Sequence, residues 1–214
     1  MKTTTTSNWR PLLRAFYPFL IAAAALSAMP RNARAQLYVT QRSPDGIVSK
    51  YNATTGTLIK AHFITGVNDP SALALLDNEL FVANKGSGSV GEYDATTGAA
   101  INASFITGLN TPSGLAVMGP TSVFFHSILF VVNNSFGSGT VGEYDATTGT
   151  LIKAHFITGL NQPQGLAVLG NTLFVANFGS GTVGKYDATT GAAINANFIT
   201  GLNVPVGLAA KSAK

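Results

Sequence analysis

One stretch recurs along the chain and constrains the fold more than anything else in it. Leu173 to Leu202 reads LFVANFGSGTVGKYDATTGAAINANFITGL. Leu80 to Leu109 and Leu129 to Leu160 repeat it with few changes, and Leu37 to Val67 is a looser copy. Tyr51, Tyr93, Tyr144 and Tyr186 mark one position in each copy, with steps of 42, 51 and 42 residues. Pro70, Pro112, Pro163 and Pro205 give the same steps. A period near 42 residues, filled with strand-length apolar runs, is the spacing of a propeller blade. Solenoids of paired helices share that length but need a helical apolar period, and this sequence has none.

Each period divides into four strands. In the last copy Gly165 to Leu169 suits an innermost strand A, Leu173 to Asn177 strand B, Thr182 to Asp187 strand C, and Ile194 to Thr200 an outer strand D. Strand D alternates, which puts Ile194, Ala196 and Phe198 on one side and Asn195, Asn197 and Ile199 on the other. The run Asp187-Ala188-Thr189-Thr190-Gly191 carries its own turn chemistry: Asp accepts from turn amides and Gly supplies a positive φ. The A strands are rich in small residues such as Ala72, Gly114, Gly165 and Gly207, as a crowded axis requires. Insertions lengthen the third copy, chiefly around Pro120 to Ser127.

The expected fold is therefore all-β: a β-propeller of four blades, each of roughly 42 residues and four strands. The repeats open on a B strand, Leu37 to Gln41, and end on Pro205 and an A-like run, Val206 to Ala210. Pairing of that C-terminal strand with the N-terminal blade would close the ring. The same two ends fit equally well a homodimer in which two chains exchange strands into one eight-bladed ring.

Residues 1–35 read as a signal peptide, 36–210 as the propeller and 211–214 as a tail. Lys2, Arg10 and Arg14 precede a short apolar run, Ala15 to Ala28, and Ala33-Arg34-Ala35 has the form of a cleavage site. The run is too short to span a bilayer comfortably, so no membrane span is expected after cleavage. The expected location is secreted, extracellular or at the cell surface, with the periplasm as a further compartment. Cleavage removes five of the 13 basic residues and leaves eight against nine acids. Without a basic patch, nucleic acid is excluded as a partner. The sequence has no cysteine, so neither disulfides nor thiol chemistry contribute.

Tyr38-Val39-Thr40-Gln41 differs by one residue from a Tyr-Val-Thr-Asn signature. Leu-Phe-Val-Ala-Asn at 80–84 and 173–177, and Tyr-Asp-Ala-Thr-Thr-Gly at 93, 144 and 186, are in the same style. In these motifs residues 36–210 resemble the bacterial extracellular propeller repeats grouped as NHL and YVTN families. The resemblance implies a propeller fold and an extracellular setting and leaves function open. Members usually have more blades than the four repeats present here.

The chemistry-bearing residues are sparse. His62 and His155 occupy equivalent strand D positions beside Lys60 and Lys153 and read as surface histidines. Glu92 and Glu143 are replaced by Lys50 and Lys185 in the other copies, as a solvated position allows. Asp94, Asp145 and Asp187 read as turn caps. No nucleophile elbow, zinc-binding His pair or phosphate loop is present, so no catalytic residue, metal ligand or cofactor is expected.

The remaining candidate is the loop entering strand A. Asn68, Asn110, Asn161 and Asn203 each stand two residues before a proline, with Asp69, Ser71, Ser113 and Gln164 around them. Amides converging near the axis would suit a hydroxylated ligand or a hard cation. Each Asn also fits as a cap on the turn before Pro. The expected function is a secreted, non-enzymatic module that binds a protein or carbohydrate ligand. The alternative is a lactonase-like small-molecule hydrolase with a divalent cation on the axis, although Asp69 is the only acid in the set.

Overall fold

The computed structural model describes residues 35–42, 46–121, 125–135 and 138–212. The signal-peptide reading of residues 1–35, all but Ala35, and part of the insertion, residues 122–124, lie outside them. The repeat unit is a meander of short strands, in which a Gly-containing segment follows strand B and an (Asp/Asn)-Ala-Thr-Thr-Gly turn follows strand C. β1 (Gln36–Gln41), β2 (Ile47–Asn52) and β3 (Leu58–Ile64) form a first, three-stranded sheet. Three four-stranded antiparallel sheets follow. β4 (Pro70–Leu76), β5 (Glu79–Asn84), β6 (Ser89–Asp94) and β7 (Ala100–Ile106) make blade 2. β8 (Pro112–Met118), β9 (Ile128–Ser135), β10 (Ser138–Asp145) and β11 (Leu151–Leu160) make blade 3. β12 (Pro163–Leu169), β13 (Thr172–Asn177), β14 (Thr182–Asp187) and β15 (Ala193–Ile199) make blade 4.

The core lies between sheets, in three equivalent layers. Val48, Phe63 and Ile64 of the first sheet meet Leu80, Val82 and Tyr93 of blade 2. Phe81, Phe105 and Ile106 meet Leu129, Val131 and Tyr144 in the next layer. Phe130, Phe156 and Ile157 meet Leu173, Val175 and Tyr186 in the third. Each fully buried Leu, Val or Phe contributes roughly 1.5–3 kcal/mol. One blade alone would leave that surface wet, so the blades stand only as a stack. The A strands β4, β8 and β12 run side by side at the inner edge. There a Cβ on Gly114 would sit 2.2 Å from the carbonyl oxygen of Gln164, so the position admits glycine alone.

The alternation read for strand D does not hold. In every blade two residues of strand C face four of strand D: Lys50 pairs with Lys60 while Val48 pairs with Ile64, and Lys185 with Asn195 while Val183 pairs with Ile199. This bulge breaks the two-residue period and turns a consecutive Phe-Ile pair inward. Phe63-Ile64, Phe105-Ile106 and Phe156-Ile157 are all buried, and the first five residues of each D strand are exposed.

Glu92 and Glu143 are also not solvated. Both are buried, as is Lys50, because the next blade covers this stretch of strand C. Among the described residues, the pairing expected between the chain's two ends is not formed within one chain. β1 is bonded to β2 alone, and residues 203–212 belong to no strand. The two segments sit at opposite ends of the row of blades, β1 beside β4 and Val206 against Gly165 of β12.

Candidate functional site

Each loop entering strand A makes the same turn. The residue before the proline takes a left-handed φ: 49° at Asp69, 42° at Thr111, 48° at Gln162 and 46° at Val204. Such a conformation costs a non-glycine residue on the order of 1 kcal/mol or more and persists only where neighbours impose it. The B–C turn of the same blade imposes it here. The Asp69 and Gln162 carbonyls accept from the amides of Lys85 and Phe178, both at 3.2 Å. The Asn68 and Asn161 carbonyls accept from Gly86 and Gly179, both at 3.1 Å. In blade 3 the Asn110 carbonyl accepts from the Asn134 amide at 2.9 Å, and Asn133 Oδ1 accepts from the Asn110 amide at 2.5 Å.

The side chains of this loop face serve the same joints. The amides of Asn68 and Asn161 pack on Gly86 and Gly179. Asp69 forms an ion pair with Arg42 at 3.1 Å. The Ser71 hydroxyl donates to the Pro112 carbonyl at 2.7 Å, and Ser113 to Pro163 at 3.0 Å, so each serine ties its blade to the next. Gln164 is half-buried at the start of β12, and Asn203 is exposed beyond β15. The structure thus sets all eight residues at or beside the A-strand entry. The contacts described join Asn68, Asp69, Asn110 and Asn161 to their own blade's B–C turn or to Arg42, and Ser71 and Ser113 to the neighbouring blade.

The C–D turns follow the sequence reading. The carboxylate Oδ1 of Asp187 accepts from the amides of Thr189 and Thr190, both at 2.8 Å, and Asn52 does the same work in the first sheet. The amide of Thr97 and its hydroxyl hold the Asp94 carboxyl below the usual carboxylate range. At Asp187 the Thr189 amide leads the same effect. Burial instead pushes up the carboxyls of Glu92 and Glu143.

Two further features involve other residues. A groove of about 390 Å³ opens between β7 and β11, lined in part by Phe105, Tyr144, Leu151 and His155. The outer D strands carry the second. Ile59, Ile101, Ile152 and Ile194 occupy one equivalent position in the four blades, and their exposures are 46%, 55%, 44% and 54%. The sequence carried this signal as an isoleucine invariant among the copies, but the alternation rule grouped it with Phe198, on the side opposite Ile199. Among the described residues, no group of three or more His, Cys, Asp and Glu side chains is placed to hold a metal ion. Nor does any helix there reach the length and apolarity needed to cross a membrane.

No family model matches the sequence, and no curated protein matches it either. Solved structures do match. A chain of the nidogen/laminin complex superposes with a TM-score of 0.69 at 16% identity, over 84% of this chain and 65% of its own. The RRP9 WD40 repeats superpose with a TM-score of 0.53 at 14% identity, over 74% of this chain and 47% of their own. Virginiamycin B lyase from Staphylococcus aureus gives 0.50 at 14% identity, over 79% of this chain and 52% of its own. The chain thus spans about half to two thirds of the structures it matches. These neighbours are propeller-type folds, and at such identities the likeness concerns the fold alone. The repeated sheets and this likeness together make the chain a β-propeller fold built from internal repeats.

Proposed function

We propose that the chain is a secreted, non-enzymatic propeller of the NHL/YVTN-like kind that works as a protein-interaction module. The observation that carries this reading is the array of equivalent exposed isoleucines on the outer D strands, Ile59, Ile101, Ile152 and Ile194. Each sits on an edge strand that, among the described residues, is bonded on one side only. Such an edge offers backbone partners to an added strand, and its aliphatic side chains offer apolar contact. Lys60 and Lys153 in the same strands, together with the bulge in each, guard against indiscriminate pairing. The expected partner is an extracellular protein presenting an apolar strand or surface.

The lactonase-like alternative would place a divalent cation near Asp69. A cation there would have to displace Arg42, whose guanidinium already neutralises that carboxylate. One experiment separates the two. The purified chain is screened for saturable binding to extracellular proteins and glycans, and in parallel for lactone hydrolysis with and without a chelator. A variant with all four isoleucines replaced by serine should lose binding while keeping its melting temperature. Chelator-sensitive lactone turnover would sink the interaction reading, and binding that survives the four substitutions would remove the outer edge from it.

A further inference from the structure

Two end faces of this chain carry the residues that are covered wherever blades meet inside it. Where blades meet inside the chain, a D-strand Phe and Ile are covered by the following blade. Phe63, Phe105 and Phe156 are 4%, 8% and 5% exposed, whereas Phe198 at the end of the row is 47% exposed. Ile199 and Leu202 beside it are exposed too. The other side of each joint is a B strand. Leu80, Leu129 and Leu173 are at most 1% exposed there, whereas Leu37 in β1 is 52% exposed.

The fine contacts of the joint repeat in the same way. A Cβ on Gly98, Gly149 or Gly191 would sit 2.2 to 2.5 Å from the carbonyl oxygen of the preceding blade's Phe. Gly56, the equivalent glycine of the first sheet, has nothing within 4 Å. Lys50 Nζ lies 4.6 Å from the Phe63 ring centroid and donates to the next blade's Ala95 and Thr96 carbonyls at 3.0 and 3.1 Å. Lys185 lies 5.4 Å from the Phe198 centroid, at the same place in blade 4, where the equivalent carbonyls are those of Ala53 and Thr54 in a first sheet.

The strand inventory agrees with the faces. Among the described residues, the first sheet has no strand A. Beyond blade 4 the chain follows the track of one: the Leu202 amide donates to the Gly181 carbonyl at 2.9 Å, as Leu109 does to Gly88. Val204 takes the turn φ, and the Val206 carbonyl meets Gly165 as that of Gln164 meets Gly114. Among the described residues, β1 thus stands without a strand A and residues 205–210 stand without a strand B beside them.

We propose that a second copy of this chain joins the two faces. The end face of blade 4 docks on the first sheet of the partner copy, and residues 205–210 enter that sheet as its missing strand A. Two such joints close one eight-bladed ring. This goes beyond the interaction reading and stands without it. A head-to-tail joint closes into a ring when its rotation fits, and propeller rings hold roughly four to eight blades. The two end faces of one chain stay exposed, at Leu37 and at Phe198, and a second copy supplies a complementary face for each.

The internal pairing fixes the register to be tested. Leu73 faces Val82 in blade 2, so Leu208 of one copy should face Val39 of the other. The sequence has no cysteine, so introduced thiols are the only ones present. Purified Val39→Cys chain is mixed with Leu208→Cys chain under mild oxidant. The expected result is a covalent dimer containing one of each, and light scattering of the unmodified chain at two chain masses. Ala53→Arg and Phe198→Asp change residues that are exposed in the single chain, so each should halve that mass with strand content and melting behaviour retained. A one-chain mass for the unmodified protein overturns the proposal. So does an intramolecular disulfide in the Val39→Cys, Leu208→Cys double variant with no cross-link in the mixture. A mass that grows with concentration overturns the closed ring.

Discussion

The ammonium of Lys50 donates to the carbonyl of Ala95 on the next blade, at 3.0 Å. Tyr38 Oη donates to the same oxygen at 2.6 Å. The repeat puts Glu92 and Glu143 where Lys50 stands, facing the equivalent turn of the following blade. A lysine supplies a donor there at neutral pH; a carboxyl supplies one only when protonated. Glu143 is 3% exposed, and its Oε1 has no hydrogen-bond partner.

Burial pushes the Glu143 carboxyl up, with Lys153 and His126 pulling it partly back. For Glu92 burial leads and the charge of Glu79 adds to it. A carboxyl whose pKa rises on folding holds its proton more tightly in the folded chain. The stability linked to it is complete below the ordinary carboxylate range and declines as pH rises through the raised folded value. Glu143→Gln removes the charge and keeps the shape. It should raise the melting temperature at pH 7 by about 2–4 °C, as roughly 1 kcal/mol does in a domain of this size. Near pH 4 the variant and the unmodified chain should melt together. A calorimetric series from pH 4 to 8 checks this, and a lower melting temperature for the variant at pH 7 would disprove it.

Asp145 behaves oppositely. Burial acts on its carboxyl in the raising direction, but the amides of Thr147 and Thr148 and the charge of His126 outweigh it and hold the group low. A depressed folded pKa gives stability that is present above the unfolded value and lost as pH falls through the folded one. Asn52 caps the first sheet's turn as a neutral amide, accepting from Thr54 and Thr55 at 2.8 and 2.9 Å. Asp145→Asn should therefore change stability at pH 7 by less than about 1 kcal/mol, the value of one net hydrogen bond. It should also flatten the decline below pH 4. An unchanged acid slope would show that the Asp145 cap is not what acid removes.

Much of this fold is legible in the repeat. Tyr51, Tyr93, Tyr144 and Tyr186 count the blades, and Asp187 with Gly191 marks its hairpin, because those choices are local and use turn chemistry. What was not legible depends on neighbours. The bulge that buries Phe105 beside Ile106 arises in strand pairing and defeats a rule about alternation within one strand. The burial of Glu92 comes from the following blade, and an exchange of Glu for Lys among copies looks the same on a wet surface as in a joint. Of the loop-face candidates, Asn68 and Ser71 showed their recurring place in the repeat, but their bonds to Gly86 and Pro112 need the third dimension.

Two glycines separate backbone strain from blade contact. Gly98 has φ +79 and stands against the Phe63 carbonyl; Gly56 has φ +70 and open space. In the Ala53→Arg background, where the end faces are kept apart, Gly56→Ala should cost about 1 kcal/mol for the left-handed backbone alone. Gly98→Ala should cost that and roughly 1–3 kcal/mol more, because the methyl group is driven into a fixed carbonyl. Urea midpoints with unchanged slopes measure both. Equal costs would mean that the joint around Phe63 gives way freely, against the close packing described here.

The last prediction concerns the C-terminal segment. Within one chain Val204 and Val206 are exposed and add little to the core, so in a monomer their removal should barely matter. In the paired form they complete the partner copy's first sheet and cover the open edge of β1. Deleting residues 204–214 should then do two things together. The mass by light scattering should fall from two chains to one, and the melting temperature should lose its dependence on protein concentration and drop below that of the unmodified chain. Adding the Ala53→Arg substitution to the truncated chain should change neither value further, since both act on one joint. A truncated chain that melts unchanged at the original mass would show that residues 205–210 are no part of the closure, and that the blades are held by the Phe198 face alone.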